Sequence, residues 1–196
     1  MTLMNKFLSA AAGIALTAGA AVADPALIFD LGGKFDKSFN EAAFAGAQRW
    51  AEETGGKFAE IELQSEAQRE QALRRFAEAG ANPIVMAGFA FADALGQVAA
   101  DYPDTKFAVI DVNWLDLPNV RGIGFAEHEG SYLVGMMAAQ ASKTGTVSFI
   151  GGMDIPLIRK FACGYAQGAK AENPDATVIA NMTGTTPAAW NDPVKG

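Results

Sequence analysis

The residues best placed to do chemistry lie between Asp30 and Asn40, in the run Asp-Leu-Gly-Gly-Lys-Phe-Asp-Lys-Ser-Phe-Asn. Its glycines let the chain turn tightly and let a ligand approach the backbone. Phe39 offers a flat apolar ring, and Asn40 offers an amide that donates and accepts hydrogen bonds. A heteroaromatic ligand needs both, stacking on its face and recognition along its edge. The same spacing also fits capping of a following helix by Asp36 or Ser38, with Phe39 in the core, and both interpretations stay open.

Two further side chains could complete such a site. Asp111 follows the apolar run 107–110, and a carboxylate there could accept two hydrogen bonds from a sugar diol. It could instead close its own turn. Trp190 follows a Thr-Gly-Thr-Thr-Pro loop, where its ring could stack on a ligand from the opposite side or pack beneath the loop.

Other kinds of chemistry find no support in the sequence. The phosphate-binding pattern G-x-x-x-x-G-K-[ST] is missing, and Gly122-Ile123-Gly124 lacks the third glycine of a dinucleotide fingerprint. The single histidine, His128, and the single cysteine, Cys163, form no cluster with metal-ligand spacing. No G-x-S-x-G pattern marks a nucleophilic serine. We therefore predict no cofactor, no metal and no catalytic residue, and we expect Cys163 to be a buried helix residue.

These side chains must be positioned by regular elements, and the chain alternates between short apolar runs and helical periodicity. Strands are predicted at 26–30, 57–63, 83–87, 106–111, 120–125, 146–150 and 177–182, with helices at 38–54, 65–79, 89–100, 127–142 and 155–172. Near-continuous apolar strands alternating with helices predict an α/β fold with parallel sheets covered by helices on both faces. Ligands of such sheets bind beyond the carboxyl ends of the strands.

The N-terminus predicts where the protein works. Residues 1–23 have a lysine, an apolar and small-residue stretch and an A-x-A site, which is the layout of a signal peptide cleaved after Ala23. We therefore expect a periplasmic protein. The residue directly after the cleavage site is Asp24 and not a cysteine, so we expect no lipid to be attached to the new N-terminus. The formal net charge of −7 over 196 residues disfavours nucleic acid and anionic lipid as partners.

Four motifs together resemble one family. They are Asp36–Asn40, Phe107–Asp111, Phe125–Gly135 and Phe149–Tyr165, and the chain is similar to the basic membrane protein family of ABC-transporter substrate-binding proteins, also called the purine nucleoside receptor type. The resemblance implies a type I periplasmic-binding-protein fold with two lobes that close over a ligand. It implies transfer of that ligand to an ABC permease in the inner membrane, without catalysis.

By the same resemblance, Phe39 stacks on a purine base, Asn40 bonds its edge and Asp111 binds the ribose hydroxyls. Trp190 falls where the family places an aromatic residue on the opposite face of the base, and Asp36 lies in the same loop. The first lobe is expected at 24–143. Because family members are longer, 144–196 is expected to be the start of an incomplete second lobe.

Two other functions remain open at this point. An extracytoplasmic hydrolase acting on nucleosides could use Asp30, Asp36 and Asp111, although nothing in their spacing brings the three carboxylates together. A ligand-sensing domain that reports to a signalling partner would use the same loops as a transport receptor.

Overall fold

The computed structural model describes residues 23–196, so residues 1–22 of the predicted signal peptide lie outside the described part of the chain. The strands are β1 (Ala26–Phe29), β2 (Ala59–Glu62), β3 (Ile84–Ala87), β4 (Phe107–Ile110), β5 (Val120–Ile123), β6 (Thr146–Met153) and β7 (Thr177–Gly184). The α-helices are α1 (Phe39–Thr54), α2 (Gln68–Glu78), α3 (Ala92–Val98), α4 (Glu127–Ala141) and α5 (Pro156–Glu172). Short 3₁₀ turns lie at Phe89–Phe91, Ala99–Asp101 and Pro187–Asn191.

The first unit, β1 to β5 with α1 to α3, is built on a parallel five-stranded sheet in the order β2-β1-β3-β4-β5. Strand residues alternate between the two faces. One face presents Ile28, Met86 and Val109, all fully buried, to α2 and α3. The opposite face is covered by α1, where the rings of Phe44 and Phe29 meet edge to face at 6.1 Å. The predicted α/β architecture is confirmed.

The second unit, β6 and β7 with α4 and α5, contains a parallel two-stranded sheet. Glycines let its two helices touch through their backbones: a Cβ on Gly135 or Gly168 would collide with the carbonyl oxygen of Tyr165 or Tyr132 on the facing helix. The boundary that we expect after residue 143 stays a prediction. The packing of α4 on α5 favours placing α4 with the second unit.

Local details differ from the sequence-based predictions. Cys163 is exposed, so its expected place in the core is wrong. The buried side of α5 carries Tyr165, two residues and about 200° further round the helix. Helix α2 begins at Gln68, three residues later than predicted, because the Gln68 side chain accepts hydrogen bonds from the backbone N–H groups of Gln64 and Ser65. None of the helices within residues 23–196 is long and apolar enough to cross a bilayer.

Candidate ligand-binding cleft

A cleft of about 890 Å³ lies at the carboxyl ends of β1, β3 and β4, and residues of the second unit form its other wall. All five predicted site residues line it: Asp36, Phe39, Asn40, Asp111 and Trp190. The first unit also contributes Asp30, Arg69 and Phe89, and the second unit contributes Leu157, Ile158, Phe161 and Pro187. The structure thus brings together side chains that are up to 160 residues apart, from Asp30 to Trp190 (190 − 30).

Asp36 caps helix α1. Its Oδ1 accepts hydrogen bonds from the backbone N–H groups of Ser38 (2.8 Å) and Glu41 (3.2 Å), and its Oδ2 accepts one from Asn40 (3.1 Å). Burial pushes the pKa of Asp36 upward, but the backbone N–H groups together outweigh it and hold the pKa below its usual value. Of the two sequence interpretations of Asp36, helix capping is therefore the one that its contacts support.

Asn40 ties the loop to the end of β1. The side chain is 2% exposed; its Oδ1 accepts a hydrogen bond from the Asp30 N–H at 3.2 Å, and its Nδ2 donates to the carbonyls of Asp30 and Gly33, each at 3.1 Å. Both amide N–H groups are used within the loop. Asn40 accordingly has one Oδ1 lone pair to offer a ligand, and its main contacts are with the loop.

Phe39 lies at the first position of α1, between Asp36 and Asn40 in the loop framework. The side chain is 37% exposed and borders the cleft. The alternative that placed Phe39 in the hydrophobic core is wrong, because the core-facing ring of α1 is Phe44, which contacts Phe29, Phe35 and Phe58.

Asp111 follows β4 directly and adopts a left-handed backbone, with φ of 66°, which aspartate tolerates better than most residues. Its N–H donates to the Ile123 carbonyl at 2.7 Å, so the residue also closes the turn at the strand end. Burial, reinforced by the nearby Glu127 carboxylate, raises the pKa of Asp111, and Lys160 opposes the shift. Lys160 itself is paired with Glu127.

Trp190 sits in the 3₁₀ turn Pro187–Asn191 and is 50% exposed. Its ring lies against Gly152, where a Cβ would clash with it. Across the cleft it faces Phe89 of the first unit, with ring centroids 6.2 Å apart and planes tilted by 56°. This pair links the two units through aromatic rings. Phe89 is the first cleft residue that the sequence reasoning missed.

Arg69 is the second cleft residue that the sequence reasoning missed. Its Nη2 and Nε donate to Asp30 Oδ1 at 2.8 Å and 3.2 Å, and only 8% of the residue is exposed. The position was detectable, because Arg69 shares a helix stripe with Leu73 and Phe76, which are both buried. A charged residue in an apolar stripe indicates a buried partner.

The three carboxylates of the cleft differ in the hydrogen bonds that they accept. Asp30 is paired with Arg69 and Asp36 is saturated by backbone N–H groups, whereas no side-chain hydrogen bond to the Asp111 carboxylate is found within residues 23–196. In that same part of the chain, no group of His, Cys, Asp and Glu residues has the arrangement of a metal site. Asp111 is therefore the carboxylate most available to an incoming donor.

Comparison with known proteins finds a matching family and similar sequences. Residues 25–196 match the family described as PnrA-like ABC transporter substrate-binding proteins. The ABC transporter nucleoside-binding protein BmpA of Lactococcus lactis is 31% identical over 175 residues, covering 87% of this chain and 49% of that protein. A lipoprotein of Pyrococcus furiosus is 39% identical over 153 residues, covering 74% of this chain and 38% of the lipoprotein.

The fold has a similar counterpart among solved structures. An ABC transporter solute-binding protein from Aeropyrum pernix superposes with a TM-score of 0.74 and 33% sequence identity, covering 85% of this chain and 50% of that chain. The chain spans about half the length of the curated relatives that it matches.

Proposed function

Because the chain belongs to the family of PnrA-like ABC transporter substrate-binding proteins, we propose that it binds a purine nucleoside in the cleft between its two units and delivers it to an ABC permease. The observation that carries this proposal is the shared cleft, in which two exposed aromatic rings and an available carboxylate come from different parts of the chain. The nucleoside-binding relative from Lactococcus lactis supports the ligand class.

The aromatic residues of the cleft suit the nucleobase. Phe39 and Trp190 each leave a third to a half of their surface open, and both border the same space. Stacking of a base on an aromatic ring contributes about 1–3 kcal/mol. We assign Phe39 to one face of the base and Trp190, whose ring lies against Gly152, to the other.

The carboxylate of Asp111 is suited to binding the ribose of a nucleoside. Its carboxylate is half-buried at the end of β4, where it can accept hydrogen bonds from two neighbouring hydroxyls of a ribose. A hydrogen bond to a charged group contributes roughly 1.5–3 kcal/mol. Asp36 and Asn40 act indirectly in this proposal, since their contacts hold the loop that carries Phe39.

Ligand binding would stabilise a closed arrangement of the two units, because the nucleoside contacts both walls of the cleft. The permease would recognise that closed state. The protein would reach it outside the inner membrane after cleavage at Ala23, which mass spectrometry of the exported chain would show as an N-terminus at Asp24.

The contacts favour a binding protein over a hydrolase. Acid–base hydrolysis needs carboxylates free to exchange protons with the substrate, yet Asp30 and Asp36 are engaged by Arg69 and by backbone N–H groups. Of the three carboxylates, Asp111 alone has no such partner, so Asp30 and Asp36 do not supply a second free carboxylate for acid–base chemistry.

Isothermal titration calorimetry with inosine tests the proposal, with chromatography of the same mixture for free hypoxanthine. We expect saturable binding and intact inosine. Release of the base would establish a hydrolase instead, and lack of heat with purine nucleosides, with no thermal stabilisation, would refute the nucleoside proposal.

A further inference from the structure

Phe89 connects the two units of the molecule across the cleft. It follows β3 in the 3₁₀ turn Phe89–Phe91 and is partly buried, packing against the hydrophobic core of the first unit. Across the cleft its ring meets Trp190 of the second unit, with centroids 6.2 Å apart and planes tilted by 56°. Tilted aromatic rings at centroid distances of about 4.5–7 Å attract each other beyond the area that they bury. The pair is therefore a stabilising contact between the two units.

Trp190 is anchored to its own unit. Its ring lies against Gly152 of β6, where an added Cβ would clash with the indole. The hydroxyl of Thr183 on β7 lies 3.1 Å from the Gly152 carbonyl oxygen and 2.7 Å from the Ala189 carbonyl oxygen. This contact ties the turn that carries Trp190 to the second sheet. Because each ring is fixed in its own unit, a change at their contact requires one unit to move against the other.

Other direct links between the units are sparse. In the described part of the chain, residues 23–196, no hydrogen bond or ion pair joins residues 24–123 to residues 127–196. The two hydrophobic cores share no residue. The backbone connects the units through the short segment 124–126, between β5 and α4. Units joined by so small an interface are expected to move relative to each other, so the aromatic pair is placed to restrain that motion.

The cleft stays open while the pair is formed. Its volume of about 890 Å³ lies within the range of about 300–1,000 Å³ typical of small-molecule sites. A flat ligand does not fit between the two rings themselves, because it would need a spacing of about 7 Å, twice the carbon–carbon contact distance of roughly 3.5 Å. Half of Trp190 is nevertheless exposed. A ligand can therefore occupy the cleft beside the pair without separating it.

We propose that Phe89 is a positioning residue: through Trp190 it narrows the range of orientations of the second unit in the ligand-free protein, so that the second wall of the cleft already stands opposite the first when a ligand arrives. A protein that spends more of its time in the binding-competent arrangement has a higher apparent affinity. The restraint itself does not depend on which ligand binds, whereas its effect on inosine affinity rests on the nucleoside function proposed above.

Distances between spin labels on the two units test the restraint without a ligand. Cys163 on α5 is exposed and is the single cysteine, and Glu53→Cys adds a second exposed label site on α1. In this labelled protein we expect double electron–electron resonance to show a narrow distance distribution, which becomes broader in Phe89→Ala and in Trp190→Ala. The double variant should be no broader than either single variant, because both substitutions break the same contact. Phe89→Tyr keeps the ring and should keep the distribution narrow.

Calorimetry with inosine measures the consequence for binding. The dissociation constant should rise roughly threefold to tenfold in Phe89→Ala, the fold-change expected for the loss of one aromatic pair, and Phe89→Tyr should restore most of the affinity. Phe35→Ala is the matched control. Its ring is 68% exposed and meets Phe44 of its own unit, so this substitution should change neither the distance distribution nor the affinity.

An unchanged distance distribution in Phe89→Ala would overturn the proposal, since Phe89 would then serve only the folding of the first unit. Further broadening in the double variant would also overturn it, and so would tighter inosine binding by Phe89→Ala, which would mean that the pair obstructs the ligand. Trp190→Ala keeps the distance test decisive if Phe89→Ala does not fold. A wild type that binds no inosine refutes the nucleoside function, and the distance measurements then still decide whether Phe89 restrains the units.

Discussion

The two walls of the cleft are built differently. The wall from the first unit carries the polar side chains of the cleft beside the rings of Phe39 and Phe89, and we refer to it as the polar wall. Hydrogen bonds between loop, strand and helix hold Asp36, Asn40 and the Asp30–Arg69 pair. The wall from the second unit is mainly apolar, formed by Leu157, Ile158, Phe161, Pro187 and Trp190.

The difference indicates that the two walls have different roles in ligand binding. Directional hydrogen bonds discriminate between ligands, so the first wall is suited to selecting a ligand before the units close. Apolar contact is non-directional and gains free energy with the area removed from water, so the second wall can add affinity on closure with less effect on which ligand is chosen. Each of the following substitutions alters one wall of the cleft and leaves the other unchanged.

The largest effect is expected for Asn40→Ala. The substitution removes three side-chain hydrogen bonds and leaves partly buried backbone groups of Asp30 and Gly33 unpaired. A fully buried group would cost about 1–3 kcal/mol. Because these three are only partly buried, we expect a combined loss of roughly 2–4 kcal/mol in the free energy of unfolding by urea, with nucleoside binding abolished. Ser38→Ala is the control for stability, since its exposed side chain makes no capping bond. A change in stability below about 0.5 kcal/mol would mean that Asn40 does not hold the loop.

Gly168→Ala disturbs the wall from the second unit. Its new Cβ would collide with the Tyr132 carbonyl and push α5 away from α4, at a cost of about 1–3 kcal/mol. Inosine affinity should fall while the ratio of inosine to adenosine affinity stays constant, because the polar wall is untouched. At Gly130 on α4 a Cβ meets open space, so Gly130→Ala should leave both properties unchanged. A change of ratio in Gly168→Ala would contradict the division between the walls.

Phe39→Ala removes the stacking ring from the polar wall without removing a hydrogen bond. We expect the inosine dissociation constant to rise about tenfold or more, from the loss of about 1–3 kcal/mol of stacking. Phe35→Ala is the matched control: it is a phenylalanine of the same loop, 68% exposed and absent from the lining of the cleft. Equal effects of the two variants in calorimetry, after comparison of their melting temperatures, would remove Phe39 from the site.

The fold could be predicted from the sequence because β1, β3 and β4 are short and apolar and because helices with clear periodicity alternate with most of the strands. The position of the cleft followed from topology, since β1, β3 and β4 are neighbours and end at the same edge of the sheet. Asp30 and Asp111 each follow such a strand end directly, and Phe39 begins the helix after β1. Their convergence therefore depended on the order of strands and not on details of side-chain packing.

The roles of individual side chains were harder to predict. The atoms of Asp36 and Asn40 that could bind a ligand are the same atoms that cap a helix or tie a loop, and only the contacts show which use they have. Arg69 was missed because its partner, Asp30, is 39 residues away. Cys163 was misplaced because a residue next to aromatic neighbours can still face outward when the helix turns by about 100° per residue.

The smallest expected effect is a pH dependence of binding through Asp111. Its pKa is raised in the folded chain by burial and by Glu127, so ionising it costs folding stability above that pKa, and the cost disappears as the pH falls through it. Ribose binding needs the ionised form, so inosine affinity should start to fall at a higher pH than for an ordinary aspartate. Glu127→Gln removes the like charge and frees Lys160, which lowers the pKa of Asp111 and moves the onset of the affinity loss to lower pH. The affinities of the two proteins should differ by a few-fold in the acidic range where their curves separate. Asp111→Asn is the control that should bind weakly with little pH dependence. Titrations from roughly pH 7 to about pH 4 that coincide for wild type and Glu127→Gln would exclude Asp111 as the titrating group, and the polar wall would then bind ribose through another residue.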